Sequence, residues 1–86
     1  MTMLREVYRS GLPHRAVAVY QYLNDRADKE GKCYPAIGTI ARDIHLSKST
    51  VKRGIRDLEK AGFLSTRQRY RANGGKSSLL FLLKVK

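Results

Sequence analysis

The chain contains few of the residues that disulfides, metal centres and membrane spans require. Its one cysteine, Cys33, cannot form an internal disulfide, which agrees with a reducing compartment. The two histidines, His14 and His45, are too isolated in the sequence to build a metal site with it. No apolar run approaches the roughly 18 residues that a membrane-spanning helix needs. These absences predict a protein that uses no metal, no other cofactor and no membrane.

Residue groups that carry catalysis are also missing. The sequence has no suggestive carboxylate pair, no nucleophile beside a base and no glycine-rich loop that would cradle a phosphate, so we expect neither enzymatic activity nor a small-molecule ligand. The opening residues, MTMLREVYRS, carry charge and lack a continuous apolar core, which is unlike a secretory signal. We therefore expect a cytoplasmic protein. A length of 86 residues predicts a single domain over 1–86 with a modest core.

Acidic residues are scarce as well, and their scarcity is uneven. The chain has 18 Lys and Arg against 7 Asp and Glu, a net charge of +11. Residues 1–46 hold seven basic and five acidic residues (+2), and residues 47–86 hold eleven and two (+9), which together give +11. Such asymmetry is typical of a domain that binds a polyanion through its second half. The alternative is a solvated basic surface that keeps the domain in solution.

Apolar residues recur at three- and four-residue intervals in three stretches, which predicts three helices. These helices are expected over 13–27, 36–45 and 47–61. Pro13 lies in the first turn of the first helix, where its missing N–H would be unpaired anyway. The same pattern turns Arg15 toward water. The sequence therefore predicts a three-helix core.

The segments around these helices carry their own signals. Residues 1–11 are expected to form either a short turn or a mobile arm. A short extended piece is expected just before Pro35, because proline steers the preceding residue away from helical angles. Ser47 is the N-cap candidate of the third helix, and capping is expected to be its main role. Gly62 supplies the left-handed residue that ends that helix.

After Gly62 the period changes from helix to strand. Residues 63–70 alternate imperfectly, turn residues Asn73-Gly74-Gly75 follow, and 78–85 reads as a second strand, which predicts a β-hairpin over 63–85. Period-two geometry puts alternate arginines of the first strand on one face, namely Arg67, Arg69 and Arg71. The predicted fold class is α+β, with a basic face on the hairpin.

The strand Leu79 to Leu83 is apolar on both faces. One face is expected to cover the helices, and the other needs cover of its own. Two candidates remain open, namely the N-terminal segment with Met3, Leu4 and Val7, or a second copy of the chain. A homodimer through this strand or through the N-terminal segment is therefore a hypothesis.

The order of helix, short strand, helix, turn, helix and hairpin resembles a winged helix-turn-helix domain. The matching residues are Cys33-Tyr34-Pro35, Ile40-Ala41, Leu46-Ser47-x-Ser49-Thr50-Val51 and Ile55-x-x-Leu58-x-x-x-Gly62-Phe63-Leu64. They are similar to the domain found in phage replisome organisers, plasmid replication initiators and related transcriptional regulators. The resemblance covers about Leu12 to Val85. Two positions depart from the family, since Ala36 stands where a serine is frequent and His45 where a glycine is frequent.

The resemblance implies binding to double-stranded DNA, in transcription regulation or replication initiation. The third helix would enter the major groove and the hairpin, or wing, would contact the backbone or the minor groove. The helix residues implied in contact with DNA are Lys48, Ser49, Thr50, Lys52, Arg53 and Arg56, and the wing residues are Arg67, Arg69, Arg71 and Lys76. Arg56, one turn later than the rest, is expected to hold a phosphate.

Two other functions fit the same fold. A winged helix can serve as a protein-protein interaction module within a replication or mobile-element complex, but such modules lose the positive face of the third helix, which this sequence keeps. RNA binding would call for stacked aromatic residues, and no such pattern is present. Two alternatives without DNA binding also stay open: the basic face of the third helix is only solvated, or the hairpin does not touch DNA.

Overall fold

The computed structural model describes residues 4–67 and 80–84, in which four helices and three strands lie in a mixed order. The elements are α1 (Leu4–Arg9), α2 (His14–Arg26), β1 (Lys32–Cys33), α3 (Ile37–Ile44), α4 (Lys48–Ala61), β2 (Leu64–Arg67) and β3 (Leu80–Leu83). Helices α2, α3 and α4 occupy the three stretches that show helical periodicity. No helix within the described ranges is long and apolar enough to cross a membrane.

The N-terminal segment is a helix rather than a mobile arm over residues 4–9. Val7 is fully buried in the core, and α1 packs against α2. Ser10 ends the helix, since its hydroxyl donates a hydrogen bond of 2.6 Å to the carbonyl oxygen of Val7. One buried side chain thus anchors a helix that is too short to be stable alone.

Helices α2 and α4 form the main packing contact of the domain, and they approach closely at Gly54. A Cβ at Gly54 would lie only 2.9 Å from the carbonyl oxygen of Arg15 and 3.1 Å from Cγ2 of Val19. Beside this contact, Nε of Arg15 donates a hydrogen bond of 2.9 Å to Oδ2 of Asp57. The expectation that Arg15 simply faces water is wrong, because its guanidinium joins the two helices.

The core lies between the helices and one face of the sheet. Its buried side chains are Val7, Ala16, Val19, Tyr20, Leu23, Cys33, Ile40, Ala41, Val51, Ile55, Leu58, Leu64, Phe81 and Leu83. Tyr20 meets Phe63 edge to face, with ring centroids 6.4 Å apart. Every helix and strand in the described ranges contributes to this cluster, so a single core holds these elements together.

The three strands form an antiparallel sheet in the order β1-β3-β2. Phe81 and Leu83 of β3 are buried, whereas Leu80 and Leu82 lie half-buried on the outer face of the sheet, where Leu82 stands between Lys32 and Ser65. Strand β3 thus lies in the middle of the sheet, with one face in the core and the other half-buried. The helices and the sheet together make the winged helix-turn-helix fold that the resemblance predicted.

Candidate nucleic-acid interface

A turn of three residues, 45–47, joins α3 to α4 and sets the angle between them. His45 adopts a left-handed conformation with φ 59° and ψ 41°, and it is the one non-glycine residue with positive φ in the described ranges. Its backbone N–H donates to the carbonyls of Ala41 and Arg42, which ends α3. Histidine tolerates this conformation better than most side chains, so the turn forms without the glycine that the family often has.

Ser47 caps α4, as its position predicts. Its hydroxyl oxygen accepts a hydrogen bond of 3.1 Å from the backbone N–H of Thr50 and shares a second one of 2.8 Å with the hydroxyl of Thr50. Thr50 is half-buried, and its hydroxyl belongs to the cap. At the other end, Gly62 adopts φ 83° and closes the helix with bonds to the carbonyls of Leu58 and Glu59. The first turn of α4 is therefore held in place by its own sequence.

One side of α4 is buried and the other is cationic. Val51, Gly54, Ile55 and Leu58 face the core. The exposed side carries Lys48, Ser49, Lys52, Arg53 and Arg56. In the part of the chain that the structure describes, none of these four cations makes an ion pair. The surface of α4 thus offers several unneutralised charges along one helix.

The two carboxylates of α4 are engaged elsewhere. Asp57 accepts the hydrogen bond from Arg15 of α2, and its side chain is only 24% exposed. Glu59 accepts a hydrogen bond of 3.2 Å from the hydroxyl of Thr66 in β2. Both therefore tie α4 to the rest of the fold instead of pairing with its exposed lysines and arginines.

The exposed cations of α4 continue onto α3. The side chain of Lys48 lies across Gly38, with Cε 3.3 Å from the point where a Cβ of Gly38 would stand. Arg42 comes one turn after Gly38 on α3; its side chain is 78% exposed, and its Nε lies 3.6 Å from Oδ1 of Asp43. Neither Arg42 nor Gly38 is among the residues that the resemblance implies in contact with DNA. The spacing of four within 36–45 could have revealed Arg42, but the approach of Lys48 to Gly38 depends on how the two helices cross.

The wing residues are only partly placed. Arg67 is exposed at the end of β2, opposite Leu80 of β3. Because Leu64 is buried and Thr66 bonds to α4, alternation puts Arg67 on the outer face of the sheet. The remaining predicted wing residues, Arg69, Arg71 and Lys76, lie outside the described residues. The structure therefore gathers all the predicted α4 residues except Thr50 on one exposed surface, and it places Arg67 on the outer face of the sheet at the end of β2.

A polar cluster on the other side of α3 fixes that helix to α2. The hydroxyl of Tyr22 donates a hydrogen bond of 2.6 Å to Oδ2 of Asp43, and the guanidinium of Arg26 lies over the Tyr22 ring, 5.2 Å from its centroid. The bond from Tyr22, helped by the nearby guanidinium of Arg42, lowers the pKa of Asp43. Its carboxylate is thus ionised and bonded at neutral pH, which orients α3.

Cys33, the one cysteine of the chain, is a buried side chain. Burial raises the pKa of the Cys33 thiol to about 11, and its S–H points at the carbonyl oxygen of Leu23, 3.7 Å away. It is therefore a packed, protonated side chain rather than a nucleophile at neutral pH. Across residues 4–67 and 80–84, no three histidine, cysteine or acidic side chains cluster in a way that suits a metal ion.

Comparison with known proteins agrees with this geometry. Residues 10–64 match the family model described as a helix-turn-helix domain. Protein YmfN of Escherichia coli K12 is 40% identical over 65 residues, which cover 76% of this chain but only 14% of that protein.

Two solved structures share the fold. One is a possible transcriptional regulator from Methanosarcina mazei Go1, with a TM-score of 0.67, 19% identity and coverage of 87% of this chain and 58% of that one. The other is the N-terminal domain of a DNA binding protein, with a TM-score of 0.60, 20% identity and coverage of 87% and 63%. This chain thus spans less than two thirds of either neighbour. At these identities, the likeness concerns the fold.

Proposed function

Because this chain belongs to the helix-turn-helix domain family, we propose that it binds double-stranded DNA, with α4 in the major groove. The observation that carries the proposal is the exposed side of α4, whose four cations form no ion pair within residues 4–67 and 80–84, while Asp57 and Glu59 bond to other elements. A helix that served only to stabilise the domain would gain from pairing these charges. Unpaired cations along one exposed helix suit a polyanionic partner instead.

The α4 residues would divide between base readout and backbone contact. Lys52 and Arg53 can give paired hydrogen bonds to O6 and N7 of guanine, and the hydroxyl of Ser49 can reach either a base or a phosphate. Arg56 lies one turn later and would hold a phosphate. Thr50 would act mainly through the cap it shares with Ser47, which limits how far its hydroxyl can reach.

The wing would add contacts that position the domain without reading sequence. Arg67, Arg69, Arg71 and Lys76 are proposed to follow the backbone or to enter the minor groove. This part of the proposal rests on the basic composition of 63–85 and on the family resemblance. Arg67, which lies on the outer face of the sheet, is the member whose exposure supports it.

The cellular role proposed is transcription regulation, with replication initiation as the second possibility within the same mode of binding. The fold neighbour named as a possible transcriptional regulator favours the first. A cytoplasmic location and a homodimer are part of the proposal, the latter through β3 or the N-terminal segment. A protein-protein interaction module is the competing function, and the cationic side of α4 argues against it.

The proposal is tested by selecting bound sequences from a pool of random duplexes. Enrichment of a motif is expected, and its symmetry would report whether two copies bind together. On the enriched duplex, Arg53→Ala should weaken binding by about 1 to 3 kcal/mol and relax the preference at one or two base positions. The matched control is Lys60→Ala, which removes one exposed cation from the last turn of the same helix.

Two outcomes would contradict direct readout by α4. One is the failure of any motif to enrich. The other is an equal loss of affinity for the enriched duplex and for random DNA in the Arg53→Ala protein, because a phosphate contact weakens all duplexes alike.

A further inference from the structure

The space beside Gly38 is filled by one side chain, that of Lys48. A Cβ built on Gly38 would meet Cε of Lys48 at 3.3 Å and its Nζ at 3.8 Å, and nothing else within 4 Å. Lys48 is the first residue of α4, and Gly38 lies in the first turn of α3. The end of the lysine therefore rests on the neighbouring helix, in space that any larger residue would take.

The backbone does not explain why a glycine stands at this position. Gly38 is helical, whereas the glycines with positive φ in the described ranges are Gly11, Gly31 and Gly62. Glycine within a helix lowers stability relative to alanine, because it loses more conformational freedom on folding. Glycine at position 38 is therefore not explained by the stability of α3. What it does allow is the close approach of the Lys48 side chain.

This contact places the ammonium group of Lys48 beside α3. A lysine on an open surface samples many rotamers and loses that freedom when it binds an anion. Here the end of the side chain lies against α3, beside Gly38 and one turn before the exposed Arg42. The charge therefore lies where the exposed surfaces of α3 and α4 meet.

We propose that Gly38 is a positioning residue for DNA binding: its missing side chain lets the Lys48 ammonium lie across α3, from where it contacts a backbone phosphate. The inference rests on the proposed function, since it assumes that α4 faces DNA. The proposal assigns Lys48 to a phosphate of the DNA backbone rather than to a base. It also gives Gly38, which bears no functional group, a part in binding.

The test uses Gly38→Ala, because stability and affinity should move in opposite directions. Alanine should raise the melting temperature by about 2 to 6 °C, since it favours the helix and displaces only the flexible end of a lysine. It should weaken binding to a labelled duplex of about 20 base pairs of arbitrary sequence by about three- to tenfold, because phosphate contacts need no cognate site. The log-log salt slope should become shallower by about 0.9, the loss of one phosphate contact.

A double-mutant cycle shows whether Gly38 acts through Lys48. In a Lys48→Met background, which keeps the length of the side chain and removes its charge, Gly38→Ala should have no further effect on affinity or salt slope. In a Lys60→Met background, which removes an equally exposed lysine at the far end of α4, the full loss should persist.

Each result has one meaning. The positioning role would be overturned if the Gly38→Ala protein kept the affinity and salt slope of the wild type. It would also be overturned if Gly38→Ala lowered the affinity as much in the Lys48→Met background as in the wild type. If Lys48→Met binds like the wild type while Arg53→Ala does not, the positioning role fails and the proposed function stands. If the wild type, Lys48→Met and Arg53→Ala bind every duplex equally weakly, both fail together.

Discussion

Gly54 shows how one missing methyl group sets the distance between two helices. The atom that a Cβ there would meet at 2.9 Å is the backbone oxygen of Arg15, which cannot rotate away as a side chain can. Gly54→Ala should therefore destabilise the domain by about 1 to 2 kcal/mol. The added methyl group forces α2 and α4 apart, and this lowers the stability by more than the higher helix propensity of alanine raises it. Urea denaturation measures this as a lower transition midpoint.

The control for that change is Ser49→Ala, an exposed substitution on the same helix that should alter stability by less than about 0.5 kcal/mol. An unchanged midpoint in Gly54→Ala would mean that α2 and α4 separate without cost. The contrast with Gly38 is instructive, since a Cβ there would meet only the far end of a lysine.

Single residues were predictable from sequence where their role is local. The cap at Ser47 and the left-handed Gly62 depend on neighbours within a few positions, and each has a strong chemical preference for its site. Arg15 is different. Its partner Asp57 lies 42 residues away, so no pattern within α2 could reveal the ion pair. Gly54 could not be predicted for the same reason, because only the crossing of two helices shows why this position needs a glycine.

The start of α4 is the element on which the proposed interface depends most. Ser47→Ala removes the acceptor for the backbone N–H of Thr50 and should destabilise the domain by about 1 kcal/mol. The first turn carries Lys48 and Ser49, so fraying there should also weaken DNA binding by about two- to fivefold. Thermal unfolding and fluorescence anisotropy with a labelled duplex measure the two effects.

Ser47→Asn is the matched control, because asparagine caps helices as well as serine does and adds no charge. It should keep both stability and affinity close to those of the wild type. If the alanine variant loses stability but binds DNA normally, the first turn of α4 makes no contact with the duplex.

Helices α2, α3 and α4 were predictable because each is long enough for a period of 3.6 residues to show. Helix α1 was not, since six residues give less than two turns of pattern. The hairpin was predictable from alternation, but the place of β3 in the middle of the sheet was not. Its pairing with β1 joins residues 48 and 50 positions apart, for example Lys32 with Leu82, and no local pattern in the sequence indicates that register.

The distribution of charge over the domain predicts a strong dependence of binding on salt. Residues 47–86 carry a charge of +9, and binding that neutralises three or more phosphates should give a log-log slope steeper than about −2.7. Titrations of one duplex at several salt concentrations measure the slope. A flat response would point to protein partners instead, because counterion release would then play no part.

The asymmetry of charge was readable from the sequence, but the surface it forms was not. Composition places most positive residues after position 46 without saying which are exposed or paired. The structure adds that Asp57 and Glu59 bond to Arg15 and Thr66, and that among the described residues neither forms an ion pair with the exposed cations of α4. That result depends on contacts between elements, which composition cannot supply.

The link between α4 and β2 is only two residues long, Gly62 and Phe63, and both are held by hydrogen bonds. The N–H of Phe63 bonds to the carbonyl of Leu58, and its own carbonyl accepts from the N–H of Lys84 after β3. A rotation of α4 about its axis must therefore carry the base of the hairpin with it. On the proposed binding mode, the span from the groove contacts of α4 to Arg67 at the end of β2 is then set by the fold, so a duplex whose groove width does not match that span should bind less tightly even where its bases match.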